Sequence, residues 1–342
     1  MRQKPFVLFF LVLWIFSSCS TSYHYADFIK PSEIYVPANI FAVGIINRAA
    51  GPSNSAPIYE GSVPFEFVAG LPEEMAEQTL VKLQEEVLTL KRFELRQIPW
   101  DLRERNDRSF TLTPLTEQAI DSICEQYNLD GLIVLEGLEL NIRTSGRVYM
   151  VTGTNANGAP VNSPEFGGNQ EVSLTVSWNF YSGYALKTID TYQNNYQRVF
   201  GGAEVGGPKG KEKYSFFDIA RTAAEDYFTR IAPHWENDHR LYYSSGTEAL
   251  SRISYELNYS GDWDVAAESW KNLAYQSKFA KERYMASYNM ALASEMIGKP
   301  KIAKDWLLKA QKISPTKEVE KYMVIIDRQI LIYDVVSSQL GL

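Results

Sequence analysis

The apolar residues of this chain change their spacing once. Up to about residue 200, short alternating runs are interspersed with stretches of helical period; beyond residue 246 only the helical period remains. A period-two segment presents one face of a strand and a period-3.6 segment one stripe of a helix, so the two halves cannot share one architecture. The expectation is an α+β chain. An N-terminal α/β domain, sandwich-like with a mixed sheet and a hairpin, takes residues 39–235, and an all-α domain takes residues 246–342.

Within the first domain, residues 39–46 form a β-rich apolar run closed by Asn47 and Arg48. Residues 51–64 carry the Pro, Ser, Gly and Asn of a loop. Pro72, Glu73 and Glu74 open a helix, with acids at the positive end of its dipole and an apolar stripe of Ala76, Leu80, Leu83, Val87 and Leu90. Residues 93–98 alternate as a strand. Thr113 is the expected N-cap of a second helix whose apolar face is Leu115, Ala119, Ile123 and Tyr127, and Asn128 is its left-handed stop. Asp130 and Gly131 turn into the apolar run 132–135, which continues with Leu138, Leu140 and Ile142 on one side. Residues 172–180 and 185–196 make a hairpin about the turn at 181–184. Ser215 to Asp218 has the spacing of a capping box, followed by the stripe Ala220, Ala223, Tyr227 and Ile231, which Pro233 ends.

In the second half, Asn289-Met290-Ala291, the turn Gly298, and Ala303, Leu307, Ala310 and Pro315 resemble one tetratricopeptide repeat over residues 284–315. Aligning Gly261 with Gly298 gives a preceding repeat of Leu250, Ile253, Gly261, Ala266, Trp270 and Leu273. The two glycines are 37 residues apart, against a repeat period of about 34. Small residues let paired helices approach closely. Val319, Met323, Ile326, Ile330 and Tyr333 supply a closing helix. The resemblance implies a groove lined by the first helix of each repeat, with Tyr255, Asn258, Tyr288 and Asn289 as candidate partner-binding residues.

The N-terminus carries a different signal. Arg2 and Lys4 precede an apolar segment from Phe6 to Phe16, then Ser17, Ser18 and Cys19. A basic start, a short apolar core and small residues form a secretory signal. The core is too short to span a bilayer. The ending resembles a bacterial lipobox, with Phe16 where Leu is usual. That resemblance implies cleavage after residue 18, lipid on Cys19, a tether over residues 19–38 and attachment to a membrane. No acidic run follows Cys19; Asp27 is the first acid. In some Bacteroidota lipoproteins an acidic run at that place resembles a surface-export signal, so the resemblance implies a periplasm-facing anchor, expected in the outer membrane.

Loss of residues 1–18 removes Arg2 and Lys4 and no acid, taking the net charge from −7 to −9. An acidic chain argues against a nucleic-acid backbone binder. Of two cysteines, lipid on Cys19 would leave Cys124 alone in an apolar stretch, which reads as a buried structural thiol. The glycines at 201–210 fail as a phosphate loop, because Glu212 stands where a Ser or Thr should hold magnesium. Residues 153–168 read as a long hairpin loop. His234 and His239 do not share a helical face, and Glu136 and Glu139 lie on opposite sides of a strand. No cofactor, metal site or catalytic constellation is expected.

The order of elements over residues 39–235 resembles the N-terminal α/β domain of the Tol-Pal periplasmic protein and the periplasmic domain of the curli-secretion channel lipoproteins. The match runs over residues 76–98, 118–136 and 216–233. The whole arrangement resembles Bacteroidota lipoproteins with C-terminal tetratricopeptide repeats. Two functions are implied. One is a lipid-anchored scaffold that binds a protein or peptide through its repeats. The alternative is an oligomeric secretion or assembly component of the envelope.

Overall fold

The computed structural model describes residues 21–49, 71–99, 113–154, 160–201 and 211–341. The chain divides into two compact units, residues 32–234 with 338–342, and residues 1–31 with 235–337. The first is a mixed α/β unit and the second is dominated by helices, as the change of period requires.

The α/β unit is built on a five-stranded sheet. Its strands are β2 (Ala42–Asn47), β3 (Glu94–Leu95), β4 (Gly131–Thr154), β5 (Pro160–Ser182) and β6 (Lys187–Gly201), in the order β3-β2-β4-β5-β6. β2 is parallel to both β3 and β4, whereas β4, β5 and β6 form an antiparallel meander. Parallel neighbours need crossovers, which helices α1 (Leu71–Leu90) and α2 (Glu117–Tyr127) supply. α1 and α3 (Lys211–Ile231) cover one face, with Leu80, Leu83, Ala220 and Tyr227 against Val43, Ile45, Ile133 and Trp178. α2 covers the other, with Ile120 and Cys124 against Ile46, Leu132, Val134 and Tyr181.

The parity of β4 changes at one point. Ile133 and Leu135 face α1 and α3, and so do Leu138, Leu140 and Ile142. Odd and even positions share a face because the register shifts between Leu135 and Gly137. The bulged residue is Glu136. A bulge of this kind re-aims a side chain without ending the strand.

Several local expectations are corrected. The N-cap of α2 is Thr116, whose hydroxyl accepts from the Ala119 N–H at 3.2 Å, not Thr113. The Tyr181 hydroxyl takes the Leu115 N–H at 3.1 Å, which holds the preceding segment outside the helix. The buried residues of α2 are Ile120 and Cys124, one position round from the expected stripe. β3 is only two residues long, an edge strand with one neighbour. α3 begins at Lys211, so Ser215 is not its cap. The expected loop at 153–168 is largely strand, since Gly153 pairs with Val161 and Gly146 with Gly168 in one continuous ladder.

Among the described residues the second unit contains β1 (Thr21–Lys30), β7 (His234–Tyr243) and five helices. Residues 21–30, expected as part of a tether, pair with β7, most of which falls between the two expected domains. Ser22 bonds Ser244 and Asp27 accepts from Asn237, so the strands run in opposite directions. The alternation was present in Ser22, His24, Ala26 and Phe28, but polar residues disguised it. The helices are α4 (Glu248–Ser260), α5 (Trp263–Gln276), α6 (Ala280–Met296), α7 (Pro300–Ile313) and α8 (Lys317–Leu340). Asp262 caps α5 by accepting from the Val265 N–H at 3.0 Å. Gly261 and Gly298 take φ of 67° and 71° at the turns, the left-handed region where glycine has no Cβ penalty. Ala266, Trp270, Ala291, Ala303, Leu307 and Ala310 are buried between the helices.

Candidate functional site

Cys19 lies outside the described residues. The four expected partner-binding residues separate into two pairs. Tyr255 is 72% exposed on α4, and Asn258 beside it is exposed as well. Tyr288 and Asn289 are 3% and 0% exposed, so neither can meet a partner from solution. This corrects the expectation, and the cause is β7. The strand lies along α6, on the face expected to form the groove. Asn289 clasps its end: Oδ1 accepts from the Tyr243 N–H at 2.8 Å, and Nδ2 donates to the Tyr243 carbonyl at 2.8 Å.

The same face holds a buried ion pair. The Arg240 Nη2 donates to Glu295 Oε1 at 2.9 Å, and the Tyr322 hydroxyl donates to Glu295 Oε2 at 2.7 Å. Asp238 accepts from Arg240 Nη1 at 2.6 Å, and the Phe28 ring centroid is 4.0 Å from the guanidinium carbon. Burial opposes the charge on Arg240, but Glu295 and Asp238 outweigh it and hold its pKa above the usual value. Burial, then the Glu295 carboxylate, pushes the Tyr322 phenol well above its usual range. A buried, fully bonded pair fixes geometry more than it adds stability. Its chemistry is that of a clamp on β7.

Two recesses open within the helical unit. One, of about 650 Å³, is lined by Tyr243, Tyr284, Met285, Thr316, Lys281 and Glu318 among others. Its hydroxyls form a chain, Tyr243 to Tyr284 at 2.8 Å and Tyr284 to Thr316 at 2.8 Å. The other, of about 480 Å³, lies between α4, α5 and the turn into α6, with Arg252, Asn272, Gln276 and Phe279 on its wall. Tyr255 stands one residue short of a turn from Arg252 on α4, and so shares its side of the helix.

In the α/β unit, Glu136 is a buried acid. Tyr181 donates to its Oε1 at 2.6 Å, Asn179 to the same oxygen at 3.1 Å, and Arg48 to Oε2 at 2.7 Å. Arg48 also reaches the Thr113 carbonyl at 3.2 Å, so the cluster pins the approach to α2. Sequence spacing could not show this, because the bulge alone decides where Glu136 points. Cys124 is buried. Burial first, then Asp121 and Asp130, raise its thiol pKa to about 11. Among the described residues no group of three or more metal-ligating side chains converges. His239 is exposed against the rings of Tyr23 and Tyr25. The glycines at 202–210 lie outside the described residues.

A family model described as Domain of unknown function (DUF8603) matches residues 40–243. The chain belongs to this family. The DUF8603 match ends at Tyr243, the last residue of β7, so the family region includes the strand that α6 clasps. A second model, Domain of unknown function (DUF6340), matches residues 252–328 within the helical unit. No match was found among curated proteins. Among solved structures, a neuraminyllactose-binding hemagglutinin homolog from Helicobacter pylori is similar at 10% identity and a TM-score of 0.29, over 59% of this chain and 89% of that one. A PelC dodecamer from Paraburkholderia phytofirmans is similar at 10% identity and a TM-score of 0.23, over 60% of this chain and 96% of that one. Likenesses at those scores decide nothing about what the DUF8603 chain does. No helix among the described residues is long and apolar enough to cross a membrane.

Proposed function

We propose that this chain is a lipid-anchored, periplasm-facing protein of the cell envelope. It acts as a non-catalytic scaffold that binds a protein or peptide through its helical unit. The observation that carries the reading is the surface of α4. Tyr255 and Asn258 stand exposed on it, while the opposite option, the inner face of α6, is filled by the chain's own strand. In this reading the helix pairs α4–α5 and α6–α7 are two tetratricopeptide-like repeats, closed by α8. Stacked helical repeats present extended recognition surfaces. The Ser17-Ser18-Cys19 ending supports the anchor.

The test is affinity capture from the native envelope with the full-length protein and with Tyr255→Ala/Asn258→Ala. The double variant is expected to lose its partner and keep its fold. Retention of every captured protein by that variant refutes the α4 surface. In parallel, Cys19→Ala is expected to abolish incorporation of an acyl label, and a labelled Cys19→Ala protein refutes the anchor.

One observation favours the alternative, an oligomeric assembly component. Beyond the Asn169–Gly201 pair, residues 146–154 of β4 and 160–168 of β5 pair with each other and, among the described residues, with no further strand. Their length is near the roughly 9–11 residues of a barrel strand. A monomeric mass in detergent removes this reading.

A further inference from the structure

The β1–β7 ribbon has two unlike faces. Its inner side carries Phe28, Arg240 and Tyr242, all buried. Its outer side carries Tyr23 at 60%, Tyr25 at 66% and Trp235 at 56% exposure, with His239 edge-on to Tyr23 at 5.1 Å between ring centroids. Strands alternate, so Tyr23, Tyr25 and Asp27 share one side of β1, and Trp235, Asn237 and His239 share one side of β7. The Asp27–Asn237 hydrogen bond at 2.9 Å joins these two sides. Three exposed rings with polar tips on one small ribbon are not needed for the fold.

We propose that this outer face rests on the lipid headgroup layer of the membrane that holds the anchor. The inference rests on the anchor reading and adds to it an orientation. Covalent geometry sets the reach: Thr21 is two residues from Cys19 and Tyr25 is six, so their Cα atoms lie at most about 7 Å and about 22 Å from the anchored one. Lipid on Cys19 therefore brings the start of β1 to the bilayer surface whatever the rest of the chain does. Tyr and Trp are the side chains that favour that boundary, with an apolar ring on the lipid side and a donor on the wet side. The local charges exclude a different membrane mode. Asp27 and Glu236 stand near the rings, Lys30 is paired to Glu236 at 3.4 Å, and Arg240 is buried on Glu295. Among the described residues of the ribbon no basic cluster seeks anionic lipid, so the contact is made by rings and not by lysines.

The test uses the mature-length chain with Cys19→Ser, free of acyl groups, and vesicles of phosphatidylcholine or of phosphatidylcholine with phosphatidylglycerol. Weak partition to both compositions is expected. Tyr23→Ser/Tyr25→Ser/Trp235→Ser is expected to lower it about tenfold or more, as loss of the interfacial rings requires. Partition that is unchanged in the triple variant, or that appears only with phosphatidylglycerol, overturns the proposal. A fluorophore on Tyr25→Cys gives an independent reading in the acylated protein, since Cys124 is buried. That label is expected to be shielded from aqueous iodide and quenched by shallow spin-labelled lipid, whereas one on Tyr259→Cys is not. Equal iodide access at both positions overturns it. Acyl labelling of the native chain is scored separately. Its absence sinks the anchor, while the vesicle arms still decide the ring contact.

Discussion

Asn289→Ala separates a structural role from a recognition role at the position where the repeat pattern most invites confusion. The native amide makes two hydrogen bonds, both 2.8 Å, to the N–H and the carbonyl of Tyr243. Truncation leaves both backbone groups buried without a partner. Each such group costs about 1–3 kcal/mol, so the variant should lose about 2–4 kcal/mol after partial relaxation. With a denaturant slope of about 1–3 kcal/mol per molar urea, the midpoint of the helical transition should fall by roughly 1–2 M. Two units unfold here, so a single two-state fit is not justified. The signal to follow is the helical minimum in far-ultraviolet circular dichroism, with Asn289→Asp as the companion. Asp keeps one acceptor and should recover part of the loss. Unchanged urea midpoints in Asn289→Ala, together with loss of a captured partner, would show that the residue serves recognition and that the clasp on β7 is unimportant.

Ala303→Leu should cost about 1–3 kcal/mol by overpacking, because Ala303 is fully buried between α6 and α7; a urea titration with no shift refutes the close helix approach. Burial alone would raise the Asp226 carboxyl, but Tyr192 at 2.6 Å, Tyr196 at 2.5 Å and Asn194 at 3.2 Å hold it below its ordinary 3.8. The folded pKa is the lower one, so its stabilisation is present above the ordinary value and is lost as pH falls through the folded value. Wild type should lose stability faster than Asp226→Asn between about pH 5 and pH 2, and equal slopes refute the network. The Cys124 thiol, buried and raised to about 11, should react with maleimide only when the α/β unit opens; fast labelling of the native protein contradicts this packing.

Much of the architecture was legible because strong apolar periods left few choices. The stripe of α1, the αL stop at Asn128, the strand after Gly131 and the turn glycines at 261 and 298 all follow from residues that tolerate only one conformation. The misses have a common physical cause, which is a partner far away in sequence. β1 alternates polar residues and gains order only from β7. Asn289 occupies a motif position that says where it sits on its helix but not what lies against that helix. Thr113 has the chemistry of a cap, yet Tyr181 claims the N–H of Leu115, 66 residues before it, and delays the helix. Of the candidate residues, Tyr255 and Asn258 were named by repeat position alone and are exposed, whereas the Arg240–Glu295–Tyr322 clamp joins three segments that no local pattern connects.

The pairing of β1 with β7 also sets a timetable for synthesis. Ser22 and Ser244, which meet at 2.7 Å, are 222 residues apart. At about 5–20 residues per second, roughly ten to forty seconds separate the making of one strand from the making of the other. Throughout that interval β1 is a finished strand with no mate, and the rest of its unit, α4 to α8, is made later still. The α/β unit can complete its sheet in the meantime, since residues 32–234 contain all five of its strands. The unit holding β1 is thus the last to close, and an early release of the nascent chain would leave that strand's edge open to the wrong neighbour.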